Sequence, residues 1–350
     1  MSHHGLVMRT AHRARSRPSR RQPEHAPLVP APDWDLATTY STARVEADPS
    51  RPSGRLLFLG GIECSYVDLT DPQHLEFSYI RRIADAVDLL RPARAPIEAV
   101  HVGGGGCTLP RYIAATRPRS RQLVYEKDAG LVELARRYLG LRTSPTLRVR
   151  LGDARERLRE RPAGSVDLVV GDAFDGVVVP AHLATLEFTA EVDRVLRPDG
   201  LYALNIIDCP PLRVSRTAAA TVLAAFEHVA LVTATDLLRE RDAGNVVLLA
   251  SRVPLPLGAL ARAAARGPQP DVLLERPAVV EFAADARPLL DAEADRWRAA
   301  APPPDLPVPL LALTSEVDGE GPDAAGLDAG GVDGRGAGSS EVDSQLGSAG

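Results

Sequence analysis

Apolar and polar positions along the chain change their period in a regular way. Short apolar-rich runs at 55–59 and 62–69 flank Gly60-Gly61, which predicts two strands joined as a hairpin. Asp71-Pro72 interrupts the chain, and the stretch 75–90 then places Phe77, Ile80, Ile83, Ala84 and Val87 at helical spacing. Beyond it, apolar runs at 97–102, 122–125, 147–150, 166–170 and 201–207 predict strands, with helices ending near Thr116 and covering 129–139 and 181–196 between them. Two further runs, 228–235 and 245–251, complete a series of seven strands. Strands that alternate with helices at this spacing predict an α/β fold with a doubly wound, mainly parallel, Rossmann-like sheet covered on both faces.

The ends of the 350-residue chain do not share this pattern. Residues 1–50 are rich in Arg and Pro and then polar, which predicts a mostly disordered segment. Residues 51–95 hold the hairpin and its lead-in helix, 96–255 the Rossmann-like domain and 256–313 a helical extension. In 314–350 Gly, Asp and Ser dominate, the composition of a disordered tail.

Charge and cysteine content narrow the classes. A net charge of −5 gives no basic face for a nucleic-acid partner, and the arginine cluster from Arg9 to Arg21 reads as a solvated arm. Cys64, Cys107 and Cys209 are odd in number and form no CxxC pair, so neither a disulfide framework nor a metal site is expected. With no run of about 18 apolar residues and no signal-peptide core, the expectation is a soluble cytoplasmic protein without membrane contact.

Candidate chemistry collects where the predicted strands end. Gly103, Gly104, Gly105 and Gly106 follow one buried strand and precede a helix, so the backbone can approach a ligand and the helix N-terminus can face it. Glu126 stands immediately after the next strand, where a carboxylate suits the vicinal hydroxyls of a ribose. Gly152-Asp153-Ala154 follows the third strand and places an acceptor for an adenine amino group, and Gly171-Asp172 follows the fourth. No P-loop lysine and no GxGxxG in register are present, which points to a sulfonium nucleoside rather than ATP or a dinucleotide. His101 reads as a packed strand histidine, Cys107 as a small loop residue whose helix-start position favours a lowered pKa, and Asp208 as an acid without a clear partner.

The order of the glycine loop, Tyr125-Glu126-Lys127-Asp128, Gly152-Asp153 and Asp172-Ala173-Phe174-Asp175 resembles the spermidine synthase family of aminopropyltransferases, which share the class I methyltransferase fold. Leu59-Gly60-Gly61 resembles that family's L-D-G hairpin, Glu76-Phe77-Ser78-Tyr79 its D-E-F-x-Y-H-E helix start, and 285–288 its D-D-x-A-P segment. The resemblance runs from about residue 55 to 252. It implies S-adenosylmethionine or its decarboxylated form as co-substrate and a small acceptor, an amine first among them. It further implies Asp172 as the base, Asp175 as the holder of the amine and Tyr79 as part of the pocket; a homodimer stays open.

Gly105 occupies the place of the aspartate in the family's G-G-G-D-G-G, Cys64 stands near its glutamine, and Ile80 and Arg81 replace its histidine and glutamate. Each lost charge-assisted contact is worth about 1.5–3 kcal/mol, so putrescine is expected to be a poor acceptor. Two other readings stay open on these residues: a methyltransferase of unknown substrate, and a non-catalytic nucleoside-binding protein.

Overall fold

The computed structural model describes residues 29–32, 34–267 and 271–303. The disorder expected for 1–28 and for 314–350 lies outside those residues. The rest of the N-terminal segment departs from expectation, because regular structure begins well before residue 50. Strands β1 (Leu36–Ala37) and β2 (Thr42–Ala47) join the hairpin strands β3 (Gly54–Leu59) and β4 (Ile62–Asp68) in an antiparallel sheet ordered β1-β2-β3-β4. In β2 only Ala43 and Val45 turn inward, and they pack with Leu57, Val67, Leu131 and Leu134.

The larger layer follows in chain order: α1 (Ser78–Leu90), β5 (Glu98–Val102), α2 (Thr108–Thr116), β6 (Arg121–Glu126), α3 (Ala129–Tyr138), β7 (Leu147–Leu151), α4 (Ala154–Arg159) and β8 (Val166–Gly171). It continues with α5 (Leu186–Val195), β9 (Leu196–Asp208), α6 (Arg213–Ala225), β10 (His228–Ala234), α7 (Thr235–Leu238) and β11 (Gly244–Ser251). The extension holds α8 (Leu257–Ala264), β12 (Asp271–Leu274), α9 (Arg276–Ala283) and α10 (Ala294–Ala300). The sheet order is β12-β10-β11-β9-β8-β5-β6-β7. Strands β5 to β9 pair in parallel, whereas β11 runs antiparallel to both β9 and β10. The seven expected strands are thus present, and β12 adds an eighth at the edge, so the extension is not purely helical.

Why β8 is apolar apart from Asp167, near its start, is visible in its two faces. Val166 and Val169 meet α5 and α6 with Phe188, Val192 and Ala218, while Leu168 and Val170 meet α1 through Ile83 and Val87. The helix expected over 181–196 is divided. A 3-10 turn, Ala181–Leu183, precedes Thr185, whose Oγ1 accepts the Phe188 N–H at 3.3 Å and starts α5 there. Among the described residues, no helix is long and apolar enough to cross a membrane.

Candidate functional site

The loops that leave β5, β6, β7 and β8 meet at the carboxyl edge of the sheet. Gly103 N–H donates to Tyr125 O at 2.9 Å, Gly152 N–H to Glu126 O at 3.0 Å and Asp172 N–H to Val102 O at 2.9 Å, so each loop is pinned to its neighbour. Gly103 has φ +96°, and a Cβ there would lie 2.3 Å from Asp172 O. Only glycine allows the two loops to touch in this way. Gly105 is also left-handed, at φ +45°, but a Cβ on it would meet nothing nearer than Cys64 Sγ at 3.8 Å, an ordinary van der Waals distance. Gly106 packs under Ser65, and Cys107 takes a left-handed conformation before α2.

Glu126 is buried, with Oε2 accepting from Gly104 N–H at 2.8 Å and Oε1 from Asp128 N–H at 2.9 Å. Asp128 in turn caps α3 and accepts from Thr39 N–H at 2.9 Å and Tyr40 N–H at 3.3 Å. Lys127 Nζ sits 4.7 Å from the centre of the Tyr40 ring. These contacts bring the segment between β1 and β2 onto the rim beside Glu126, a placement that its sequence does not signal.

Asp153 caps α4: its Oδ1 accepts from Arg155 N–H at 2.9 Å and Glu156 N–H at 3.1 Å, and Ala154 is buried in the first turn. Its Oδ2 lies 2.7 Å from His182 Nε2. Burial works to raise the Asp153 pKa, but the hydrogen bonds from Glu156, His182 and Arg155 outweigh it and hold the carboxyl below the usual range.

Asp172 has the opposite environment. Its Oδ1 accepts from Asn205 Nδ2 at 2.8 Å, and its Oδ2 faces the hydroxyl of buried Tyr79 at 3.4 Å. Burial dominates both bonds and lifts the carboxyl from 3.8 to about 6. The amide of Asn205 is itself fixed, because its Oδ1 accepts from Asn245 Nδ2 at 3.0 Å. Asn245 O receives Arg82 Nη1 at 2.8 Å, and Arg82 closes the chain on Asp271 with bonds of 2.8 and 2.7 Å. Asp175 stands apart from this network. It is exposed, in a tight turn in which its N–H donates to Val178 O at 2.8 Å.

Asn205 and Asn245 are buried polar residues inside apolar strands and form the part of the site that sequence reasoning passed over. His101 is a packed histidine as expected: its Nε2 lies 3.0 Å from Gln122 Oε1, and burial pushes it down to about 4. Cys107 is a buried loop residue, as expected, and the lowered pKa that its helix start favours is not found. Burial pushes its thiol up to about 12, and the nearby Glu126 carboxylate adds to the rise. Asp208 has partners after all, accepting from Cys209 N–H at 2.9 Å and Ser215 N–H at 2.7 Å, which makes it a brace for the start of α6. Among the described residues no group of three His, Cys, Asp or Glu side chains is placed to hold a metal ion.

This architecture is similar to that of a probable spermidine synthase from Corynebacterium glutamicum, 31% identical, with a TM-score of 0.70 over 74% of this chain and 96% of that one. The chain belongs to the spermidine synthase family. A polyamine aminopropyltransferase of Vibrio vulnificus is 28% identical over 196 residues, 55% of this chain and 62% of that protein. Polyamine aminopropyltransferase 2 of Streptomyces coelicolor is 37% identical over 149 residues, 39% of this chain and 27% of that protein. The chain therefore spans less than two thirds of the length of these curated relatives. No protein-family model matches it. Of the places of departure within the family's fold, Cys64 and Gly105 adjoin each other, and Ile80 and Arg81 follow Tyr79 on α1.

Proposed function

We propose that the carboxyl-edge crevice binds S-adenosylmethionine or its decarboxylated form and that the chain transfers a group from it to a small amine. The observation that carries this reading is the Asp172 carboxyl, held between Tyr79 and Asn205 at the rim of β8 with its pKa raised to about 6. A carboxylate poised near neutral pH is suited to general-base work.

The residues present fit a sulfonium nucleoside. Gly103, Gly104, Gly105 and Gly106 form a cradle in which a side chain at 103 would collide with the Asp172 backbone, while a Cβ at 105 would make only ordinary contacts with Cys64 and Ser65. Glu126 is immobilised by two backbone N–H groups, and its oxygens keep lone pairs for the ribose hydroxyls. Asp153, with Ala154 beside it, faces the adenine end. The acids Glu126, Asp153 and Asp172 also complement a cationic sulfur.

When bound, the donor supplies a sulfonium-activated carbon and a thioether leaving group. Asp172 attracts the acceptor's ammonium group, takes its proton and passes it to solvent, and orients the neutral amine, with Asp175 at the outer end of the same loop as its second anchor. The amine nitrogen forms the new C–N bond as the C–S bond breaks and its electron pair stays on sulfur. The surplus proton on nitrogen passes to Asp172 and from there to solvent. Tyr79 keeps water from one face of the carboxyl and holds it in place.

A methyl-transfer reading is favoured by one observation. An acid at position 105 would repel the carboxylate of ordinary S-adenosylmethionine, and the glycine found there does not. Incubation of the full chain with each donor and a panel of amines, followed by mass spectrometry, separates the two. A product heavier by an aminopropyl or a methyl group is expected, with putrescine a poor acceptor. No transfer from either donor to any amine would overturn the proposal.

A further inference from the structure

Asp172 and the two buried asparagines form a chain whose direction donors and acceptors alone dictate. An ionised carboxylate only accepts, so Asn205, 1% exposed, must turn Nδ2 to Asp172 Oδ1, at 2.8 Å. Its own Oδ1 then faces Asn245, which must answer with Nδ2, at 3.0 Å. Asn245 is 5% exposed, and its backbone carbonyl is held by Arg82 Nη1 and by Thr233 Oγ1, each at 2.8 Å. Neither amide can reverse unless the other reverses with it.

The two oxygens of Asp172 are thereby made unequal. A proton on Oδ1 would set one donor against another, because Asn205 Nδ2 already points there. Oδ2 has no such partner. It lies 3.4 Å from the Tyr79 hydroxyl, a long contact, and that hydroxyl can rotate to donate to a bare oxygen or to accept from a protonated one. Tyr79 on α1 and Cys64 on β4, the titratable groups beside the carboxyl, are both kept neutral by burial; the thiol is pushed up to about 12, with Asp172 and Glu126 adding to the rise. Among the described residues no charged side chain bonds to Asp172.

We propose that Asn205 is a positioning residue that makes Oδ2 the proton-accepting oxygen of Asp172, and that Asn245 fixes the direction of its amide. The proton given up by the amine nitrogen goes to Oδ2 and leaves from there to solvent, while Oδ1 stays an acceptor throughout. The use of that oxygen in group transfer rests on the reading of Asp172 as the base; the inequality of the two oxygens does not.

Thermal unfolding reads the carboxyl without any turnover. The Tm of the full chain, compared with that of its Asp172→Asn counterpart between about pH 4 and 9, declines as the pH rises and levels off at the pKa of folded Asp172, about 6. Asn205→Leu, made in both backgrounds, removes a bond that favours the charged form, and the levelling point should rise by about one to two pH units. Tyr79→Phe removes only the long contact to Oδ2 and should move it by less than about half a unit. Asn245→Leu leaves both partners of Asp172 in place but frees the Asn205 amide, so the point should rise by a smaller step than in Asn205→Leu; it carries the test if Asn205→Leu does not fold. General loosening of the core would lower Tm at every pH alike and leave the levelling point where it is. An unmoved levelling point in either asparagine variant, or a shift in Tyr79→Phe as large as that in Asn205→Leu, would overturn the inference. The pH dependence of group transfer should shift in parallel. A wild type that transfers nothing would count against Asp172 as the base, while the unfolding series still decides between the oxygens.

Discussion

Replacing Asp172 by asparagine removes one charge at almost constant volume. The new side chain keeps an oxygen for Asn205 Nδ2, now 2.8 Å from Oδ1, and presents its amide to the Tyr79 hydroxyl, which can rotate to accept. Burial lifts the wild-type carboxyl from 3.8 to about 6, so above that pH the folded chain carries a charge disfavoured by about 3 kcal/mol. The folded state therefore holds this proton more tightly than the unfolded one. Stability from this group is greatest below about pH 4, falls as the pH rises to about 6, and is constant above. At pH 7.5 the asparagine variant is expected to gain up to about 3 kcal/mol, a rise in Tm of about 5 °C or more for a domain of this size. Its kcat is expected to fall by about 10²–10⁴, the usual worth of a general base, which is about 3–5 kcal/mol of barrier. Thermal unfolding and mass-spectrometric turnover measured on the same samples read both effects, and the wild-type rate should rise with pH through about 6 and then level off. A variant with activity within threefold of wild type refutes the base assignment, and a variant with a lower Tm refutes the argument that burial of the charge is unfavourable.

The glycine loop offers a graded test by chemical denaturation. Gly103→Ala forces a Cβ to 2.3 Å from Asp172 O and should cost about 4 kcal/mol or more, whereas Gly105→Ala, with nothing nearer than 3.8 Å, should cost about 1–2 kcal/mol; equal costs would contradict the cradle. Gly105→Asp should shift binding preference toward the decarboxylated donor, as measured by competition calorimetry, and an unchanged preference would show that position 105 does not face the donor's side chain. His101, pushed down to about 4, should remain neutral and show no NMR titration between pH 5 and 8, and a midpoint near 6.5 would place it in water rather than in the strand.

Much of the fold was legible because its strands are buried on both faces. The runs at β5, β8, β9 and β11 are mostly apolar on both faces, and that pattern survives without any tertiary information. Strands β1, β2 and β12 were not legible for the opposite reason. In β2 just two inward residues carry the signal, β12 has no buried residue, and β1 is held near the rim by Thr39 and Tyr40 N–H groups that bond to Asp128 far along the chain. The acids of the site could be read from their positions after successive strands. What could not be read was which of them keeps its charge at low cost. Asp153 and Asp172 occupy equivalent loop positions, yet one caps a helix and pairs with His182 while the other is desolvated beside Tyr79. Asn205 and Asn245 left one usable trace, a polar residue within an otherwise apolar strand.

The account depends above all on the crevice at the ends of β5 to β8 being a nucleoside site. Calorimetric titration of the full chain with methylthioadenosine, set against Glu126→Gln, tests this most directly. The substitution keeps an acceptor for Gly104 N–H, gives up the one for Asp128 N–H and removes the charge that would hold the ribose. One-to-one binding by the wild type is expected, weakened in the variant by about 1.5–3 kcal/mol, or roughly 10–100-fold. Absence of binding by a folded wild type, or equal affinity in Glu126→Gln, would contradict it.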